Sequence, residues 1–236
     1  MRSFVTMAMV LAASSTLAAS DYTETRDIAV DASGATRFVI DAGAGSLEVT
    51  GVAGQDAIEV KATIVIYDAD EAEGREVIDK SMKLNLERNG AVAKLEAGFK
   101  ERFWGMGTNG SIKLEITAPA TLALDIDDGS GSIKLAGFVS DVTIDDGSGS
   151  ISVNGGGALE IDDGSGSIDV TDAAGDVTIS DGSGSIRVER IGGSVTIDDG
   201  SGSIRVNDVA GDLEIIDAGS GSVSISNVQG TVEQDR

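Results

Sequence analysis

"IDDGSGSI" occupies Ile126 to Ile133 and recurs at Ile144 to Ile151, Ile161 to Ile168 and Ile197 to Ile204. "ISDGSGSI" (Ile179 to Ile186) differs at one position, and "IDAGSGSV" (Ile216 to Val223) closes the series. The first glycine of each octet falls at 129, 147, 164, 182, 200 and 219, at intervals of 18, 17, 18, 18 and 19. A near-constant period this short signals a solenoid, in which each turn stacks only on its neighbours.

Within one turn, "DVTIDDGSGSISV" (Asp141 to Val153), Val142 and Ile144 alternate with Thr143 and Asp145. Beyond the Gly-Ser segment, Ile151 and Val153 alternate with Ser150 and Ser152. Period two means β-strand with the branched residues facing inward. One inward row is Leu124, Val142, Leu159, Val177, Val195 and Leu213; another is Ile133, Ile151, Ile168, Ile186, Ile204 and Val223. A second bend carries Ala173, Ile191, Val209 and Val228, each two residues before a glycine, as a third inward contact. The expected fold is all-β: a parallel β-helix, or β-solenoid, of about 18 residues per turn. Its strands are expected to be three to five residues long, between glycine-bearing turns.

The chain divides by composition into three parts. Residues 1–20 read as a secretory signal peptide, with Arg2, an apolar run from Phe4 to Ala13, and small residues at the cleavage point. That run is too short to span a bilayer, and no later stretch is long and apolar enough to do so, so no transmembrane segment is expected after cleavage. Residues 21–119 form an irregular β-rich part that starts and caps the solenoid. It includes the degenerate copies "DAGAGSLEV" (Asp41 to Val49) and "GTNGSIKLEI" (Gly107 to Ile116) and one short helix over Asp68 to Ser81. Residues 120–236 are the regular repeats, entered after the lone Pro119.

The 236 residues carry 40 acids and 17 bases, a net charge of −23. From Ala120 onward there are 22 acids and 5 bases, so −17 of the −23 sits in the repeats. This sign excludes nucleic acid and anionic membrane surfaces as partners, since both need Lys and Arg to displace counterions. There is no Cys and no His, which removes thiol chemistry, ordinary zinc sites and His-based acid–base catalysis.

An exported leader, an irregular β start, the entry "ITAPA" (Ile116 to Ala120) and turns of the form G-S-I-x-V and V-x-G-x-V-x-I together resemble the bacterial putative-adhesin family of extracytoplasmic β-solenoids. The resemblance covers most of Thr25 to Val232. It implies an autotransporter-head-like β-helix, located in the periplasm or at the cell surface, with adhesion as its inferred role. It implies no catalytic residues.

Stacking the octets aligns Asp128, Asp146, Asp163, Asp181 and Asp199 in one row, with Asp217 as a shifted sixth member; Asp127, Asp145, Asp162 and Asp198 make a second. Unit charges ~4.8 Å apart repel by roughly 1 kcal/mol in water and several times more near a protein surface, so something must offset the row. One offset is local: an Asp before Gly-Ser-Gly accepts N–H bonds from its own turn, and the serines bond along the stack. The other is calcium held on the first row, since Ca²⁺ takes six to eight oxygens. The octet places its Asp before the glycines, unlike the calcium-binding nonapeptide.

A second candidate site is "FKERFWGMG" (Phe99 to Gly107), where Phe99, Arg102, Phe103 and Trp104 suit contact with a protein or glycan of the cell envelope. Packing of this loop across the first turns is the alternative. Arg187 and Arg205 read as a solvated outward row. The expected function is a non-enzymatic exported adhesin or scaffold. A carbohydrate-active enzyme using paired Asp carboxylates is the second reading. An ice- or surface-binding solenoid is the third, its Thr143, Thr178 and Thr196 row being interrupted by Glu160 and Glu214. The inward assignment is testable: Ile168→Asp buries a charge among stacked strands and should lower the melting midpoint severely, whereas an unchanged midpoint would contradict it.

Overall fold

The computed structural model describes residues 21–100 and 110–234. The signal peptide expected over residues 1–20 lies outside the residues that the structure describes. Its strands are β1 (Tyr22–Asp31), β2 (Arg37–Ala44), β3 (Leu47–Val52), β4 (Ala57–Ile66), β5 (Met82–Asn89), β6 (Val92–Phe99), β7 (Gly110–Pro119) and β8 (Ala123–Ala136). The repeats supply β9 (Val142–Asp146), β10 (Gly149–Asn154), β11 (Leu159–Asp163), β12 (Gly166–Thr171), β13 (Val177–Asp181) and β14 (Gly184–Ile191). They continue with β15 (Val195–Asp199), β16 (Gly202–Val209), β17 (Leu213–Asp217), β18 (Val223–Val228) and β19 (Val232–Gln234). One helix, α1 (Glu71–Ser81), separates β4 from β5.

Two sheets face each other across an aliphatic core. Each rung of the solenoid crosses one sheet, turns at the octet, and returns along the other. Sheet B holds β9, β11, β13, β15, β17 and β19 in parallel, with Leu159 opposite Val142 and Val177. Sheet A holds β10, β12, β14, β16 and β18, with Ile168 opposite Ile151 and Ile186. The two expected inward rows are therefore in register, and all their members are buried except Val223, which is half-buried on the last rung. In the repeats the sheet B strands run five residues, and three in β19, as expected, whereas the sheet A strands run six to eight, because their pairing starts at the corner glycine, β18 excepted, and in β14 and β16 continues into the far bend.

The corner shows why the octet is written with glycines. Gly164 N–H donates to the Asp146 carbonyl of the preceding rung at 2.9 Å, and Gly166 N–H to the Ser183 carbonyl of the next at 2.9 Å. The ladder thus runs through the bend. Gly166 adopts φ +154°, and a Cβ there would lie 1.5 Å from the Gly149 carbonyl oxygen, a distance no atom can occupy. At the other bend, Asp172, Arg190, Asp208 and Asn227 take left-handed φ of 53° to 61°, turning Ala173, Ile191, Val209 and Val228 inward. Asp and Asn tolerate this region well.

The N-terminal segments contribute rungs out of chain order. β8 crosses both sheets as a single strand. The rung packed against it is β2–β3, whose register partners stand 86 residues earlier in the chain, Arg37 opposite Ala123 and Leu47 opposite Ile133. β6 and β7 flank β2 and β3 on the far side. The chain therefore lays down one rung, builds the next one outside it, and steps back over the first at Pro119 to begin the regular array. Beyond β6 and β7 the pairing turns antiparallel, to β5 in sheet B and to β4 then β1 in sheet A. Helix α1 contacts β1 and β5 over this end. It starts at Glu71, three residues later than expected, because Asp70 is the N-cap: its carboxylate accepts from Ala72 and Glu73 N–H at 2.8 and 2.9 Å.

Gly166→Ala places a methyl on a neighbouring carbonyl and should cost more than about 4 kcal/mol in chemical denaturation. Loss of less than about 1 kcal/mol would mean that the corner yields, contrary to the close approach described.

Candidate functional site

The alternation that drives Ile126 and Ile144 inward continues one residue pair further. Asp128, Asp146, Asp163, Asp181 and Asp199 therefore end their sheet B strands on the inner side, with exposures of 3, 2, 1, 4 and 0%. The row expected at the Gly-Ser turn is thus an interior column. Successive members are register partners, one per rung. Asp217 does not join them. The 19-residue interval creates a bulge between β15 and β17, which pairs Asp217 with Asp198 and leaves it exposed, Ile216 beside it.

In four of the five carboxyls one oxygen serves the turn. Asp146, Asp163, Asp181 and Asp199 accept through Oδ1 from the N–H two residues ahead, at 3.3, 3.1, 3.0 and 3.0 Å. This is the local offset expected from sequence. The serine half of that expectation is met sparsely: Ser222 Oγ donates to Ser203 Oγ at 3.3 Å. The other carboxyl oxygen, Oδ2, is enclosed and without a hydrogen-bond partner in all five.

Five ionised groups could not be held this way. At ~4.8 Å and an effective dielectric near 20, each neighbouring pair would repel by ~3.5 kcal/mol. Four such pairs rival the whole stability of a typical domain, ~5–15 kcal/mol. Burial accordingly pushes Asp128 up to about 7, with Asp146 adding to it, and pushes Asp181 up to about 6, with Asp163 and Asp199 adding. Asp146, Asp163 and Asp199 are raised by the same cause. Among the described residues, no three carboxylates converge where a metal ion would sit.

The outer Asp row behaves differently. Asp127, Asp145, Asp162 and Asp198 are exposed on sheet B, with Ser180 filling the gap. A third set, which sequence reading missed, ties rungs together at the far corner. Asp141, Asp176 and Asp212 accept N–H bonds from Ala158, Ser194 and Thr231 of the next rung at 3.0, 2.8 and 2.7 Å. Their signal was present: Asp141, Asp176 and Asp212, with Ser194 on the rung between the last two, stand just before their sheet B strands, while Ala158 and Thr231 take that place before β11 and β19. Arg190 also grips Asp172 one rung back with two bonds, 2.7 and 2.8 Å, and holds that carboxyl below its usual range.

Of the second candidate site, Phe99 ends β6 and packs, half-buried, against the core. Arg102, Phe103 and Trp104 lie outside the described residues. Arg187 and Arg205 are register partners on the outer face of sheet A, and Arg187 bonds Glu189 at 2.9 Å. At the N-terminal end of that face is an open groove of about 720 Å³, lined by Asp27, Glu48, Glu59, Lys61, Glu115 and Thr117 among others. Four strands from distant parts of the chain form it, so no local motif announces it.

No family model matches the sequence, and no curated protein matches it. Solved structures do resemble it. A "putative adhesin" from Bacteroides fragilis is 14% identical, covering 91% of this chain and 97% of its own, with a TM-score of 0.46. A "putative cell adhesion protein" from Clostridium sporogenes is 14% identical over 91% and 100%, TM-score 0.43. A "putative lipid binding protein" from Parabacteroides distasonis is 17% identical over 91% and 97%, TM-score 0.44. Two of these three carry adhesin or cell-adhesion names, which belong to those proteins. At such identities the likeness concerns the fold alone.

The Arg190–Asp172 pair is exposed, and exposed pairs contribute little. Arg190→Ala should leave the melting midpoint within about 2 °C while NMR titration finds the Asp172 carboxyl back near its ordinary value. A larger fall would make this pair a structural clamp.

Proposed function

We propose that the protein is a non-enzymatic, exported β-solenoid of the bacterial envelope, adhesin-like or scaffolding, and that it presents the outer face of sheet A to an extended protein or glycan. The observation that supports this reading is the division of charge between the two faces. Along the regular rungs the outer face of sheet B carries Asp127, Asp145, Glu160, Asp162, Asp198 and Glu214 and no exposed base. The outer face of sheet A carries Lys134, Arg187 and Arg205 with Asp169 and Glu189, among Ser, Asn and Thr, so its charges nearly balance. In a chain of −23, that face is where an anionic or neutral partner meets least repulsion. The groove at its N-terminal end is acidic, with Asp27, Glu48, Glu59 and Glu115 against Lys61, and is not part of this surface.

The enzymatic reading is weaker on physical grounds. The interior Asp column is sealed from any polysaccharide, and its outer counterpart repeats from rung to rung with no pair set apart. The ice-binding reading suffers from register: Glu160 and Glu214 stand directly within the Thr143, Thr178, Thr196 row.

Binding to envelope glycans and surface proteins, measured on immobilised protein, tests this. Arg187→Glu with Arg205→Glu should weaken capture about tenfold, close to 1.4 kcal/mol, with the melting midpoint held within about 2 °C. Undiminished capture, or release of reducing sugar from a polysaccharide, would overturn the reading.

A further inference from the structure

We propose that the interior column of Asp128, Asp146, Asp163, Asp181 and Asp199 is a proton-binding site of the folded protein, filled in the compact solenoid and emptied at the expense of the corner it closes. Three observations lead there. Each carboxyl is at least nine-tenths buried and keeps one oxygen, Oδ2, without a partner. A buried carboxylate needs a cation, several donors or a proton, and among the described residues no basic side chain and no donor reaches Oδ2.

The surroundings exclude a counter-charge. On the same strands the charged neighbours are acids, Asp127, Asp145, Asp162 and Asp198, and Asp217 stands beyond the last member. Across the corner, the sheet A strands β10, β12, β14 and β16 begin with Gly149, Gly166, Gly184 and Gly202 and continue with buried isoleucines, none of which titrates. On the N-terminal side, β2 places Ala42 opposite Asp128. Each carboxyl therefore has only other acids as charged neighbours, in the column and on the outer row. A proton is the one ligand that removes the charge without adding volume to a corner already at contact distance.

The coupling to structure runs through the other oxygen. Oδ1 of the same side chains caps the turn, so repulsion along an ionised column acts directly on the glycine corner. All five carboxyls are shifted upward, Asp128 to about 7 and Asp181 to about 6. A group that binds its proton more tightly when folded contributes stability fully present below the unfolded value near 4. That stability is lost as pH rises through 6 to 7. The protein should thus be firmest in mild acid and loosen toward neutrality, the reverse of a protein held by salt-bridged carboxylates.

Two measurements decide it. The melting midpoint should fall by on the order of 10 °C from pH ~4 to ~7.5, and infrared spectra should show a protonated-carboxyl C=O band still present near pH ~5.5, where surface acids are ionised. Replacing Asp146, Asp163 and Asp181 with Asn should flatten the pH dependence and remove most of the band. The matching outer variant, with Asn at 145, 162 and 198, should keep both. Should the triple interior variant fail to fold, Asp163→Asn should reduce the wild-type band by about one part in five, the column having five members. Absence of the band near pH ~5.5, or pH dependence lost in the outer variant and kept in the interior one, would overturn the proposal. So would saturable calcium binding that raises the midpoint and vanishes in the interior variant, which would make the column a metal site.

Discussion

Successive rungs pass each other at the second glycine of the octet so closely that no side chain fits between them. Gly149 and Gly166 are the clearest instance, the carbonyl of one lying 1.5 Å from where a Cβ of the other would stand. That contact sets the spacing at the corner and keeps the backbone ladder continuous around it. It holds Ile161 and Ile168 on inward faces of opposite sheets, and the core follows as four aliphatic rows, two from each sheet, and a fifth at the far bend. The period is short because one rung needs only two short strands and two bends.

The same constraint explains the placement of acid. A corner this tight has room for a small acceptor that satisfies its own N–H, and Asp supplies one. The alternation of the strand turns that Asp inward, so the residue that closes the bend is also stacked, dry, on its copies. The molecule separates its acids by role. The inner column caps corners, the outer row on sheet B stays in water, and the row at Asp141, Asp176 and Asp212 fastens one rung to the next through backbone N–H groups. A net charge of −23 is therefore partly architecture.

Much of this is legible in the residues. Period two identifies the strands, the 18-residue interval the solenoid, and branched side chains the inward rows, because each signal is local and repeats. The inward turn of Asp128 is written in the same alternation, Ile126 in, Asp127 out, Asp128 in, and is obscured only by the habit of assigning polar residues before glycine to solvent. The order of the first rungs is not legible. That β2–β3 lies between β6–β7 and β8 depends on pairings across long separations, for which neither spacing nor composition carries a signal. The groove on sheet A is hidden for the same reason. The shift of Asp217, by contrast, is announced by the one interval of 19.

The central claim is that the octet is rigid, hydrogen-bonded ladder and not a loop between strands. Amide hydrogen exchange, resolved residue by residue, addresses it directly. Gly164 and Gly166 should exchange as slowly as Ile161 and Ile168 beside them, because their N–H groups are bonded to the rungs on either side. Gly-Ser-Gly amides that exchange at the rate of an unprotected chain, between isoleucines that remain protected, would contradict it.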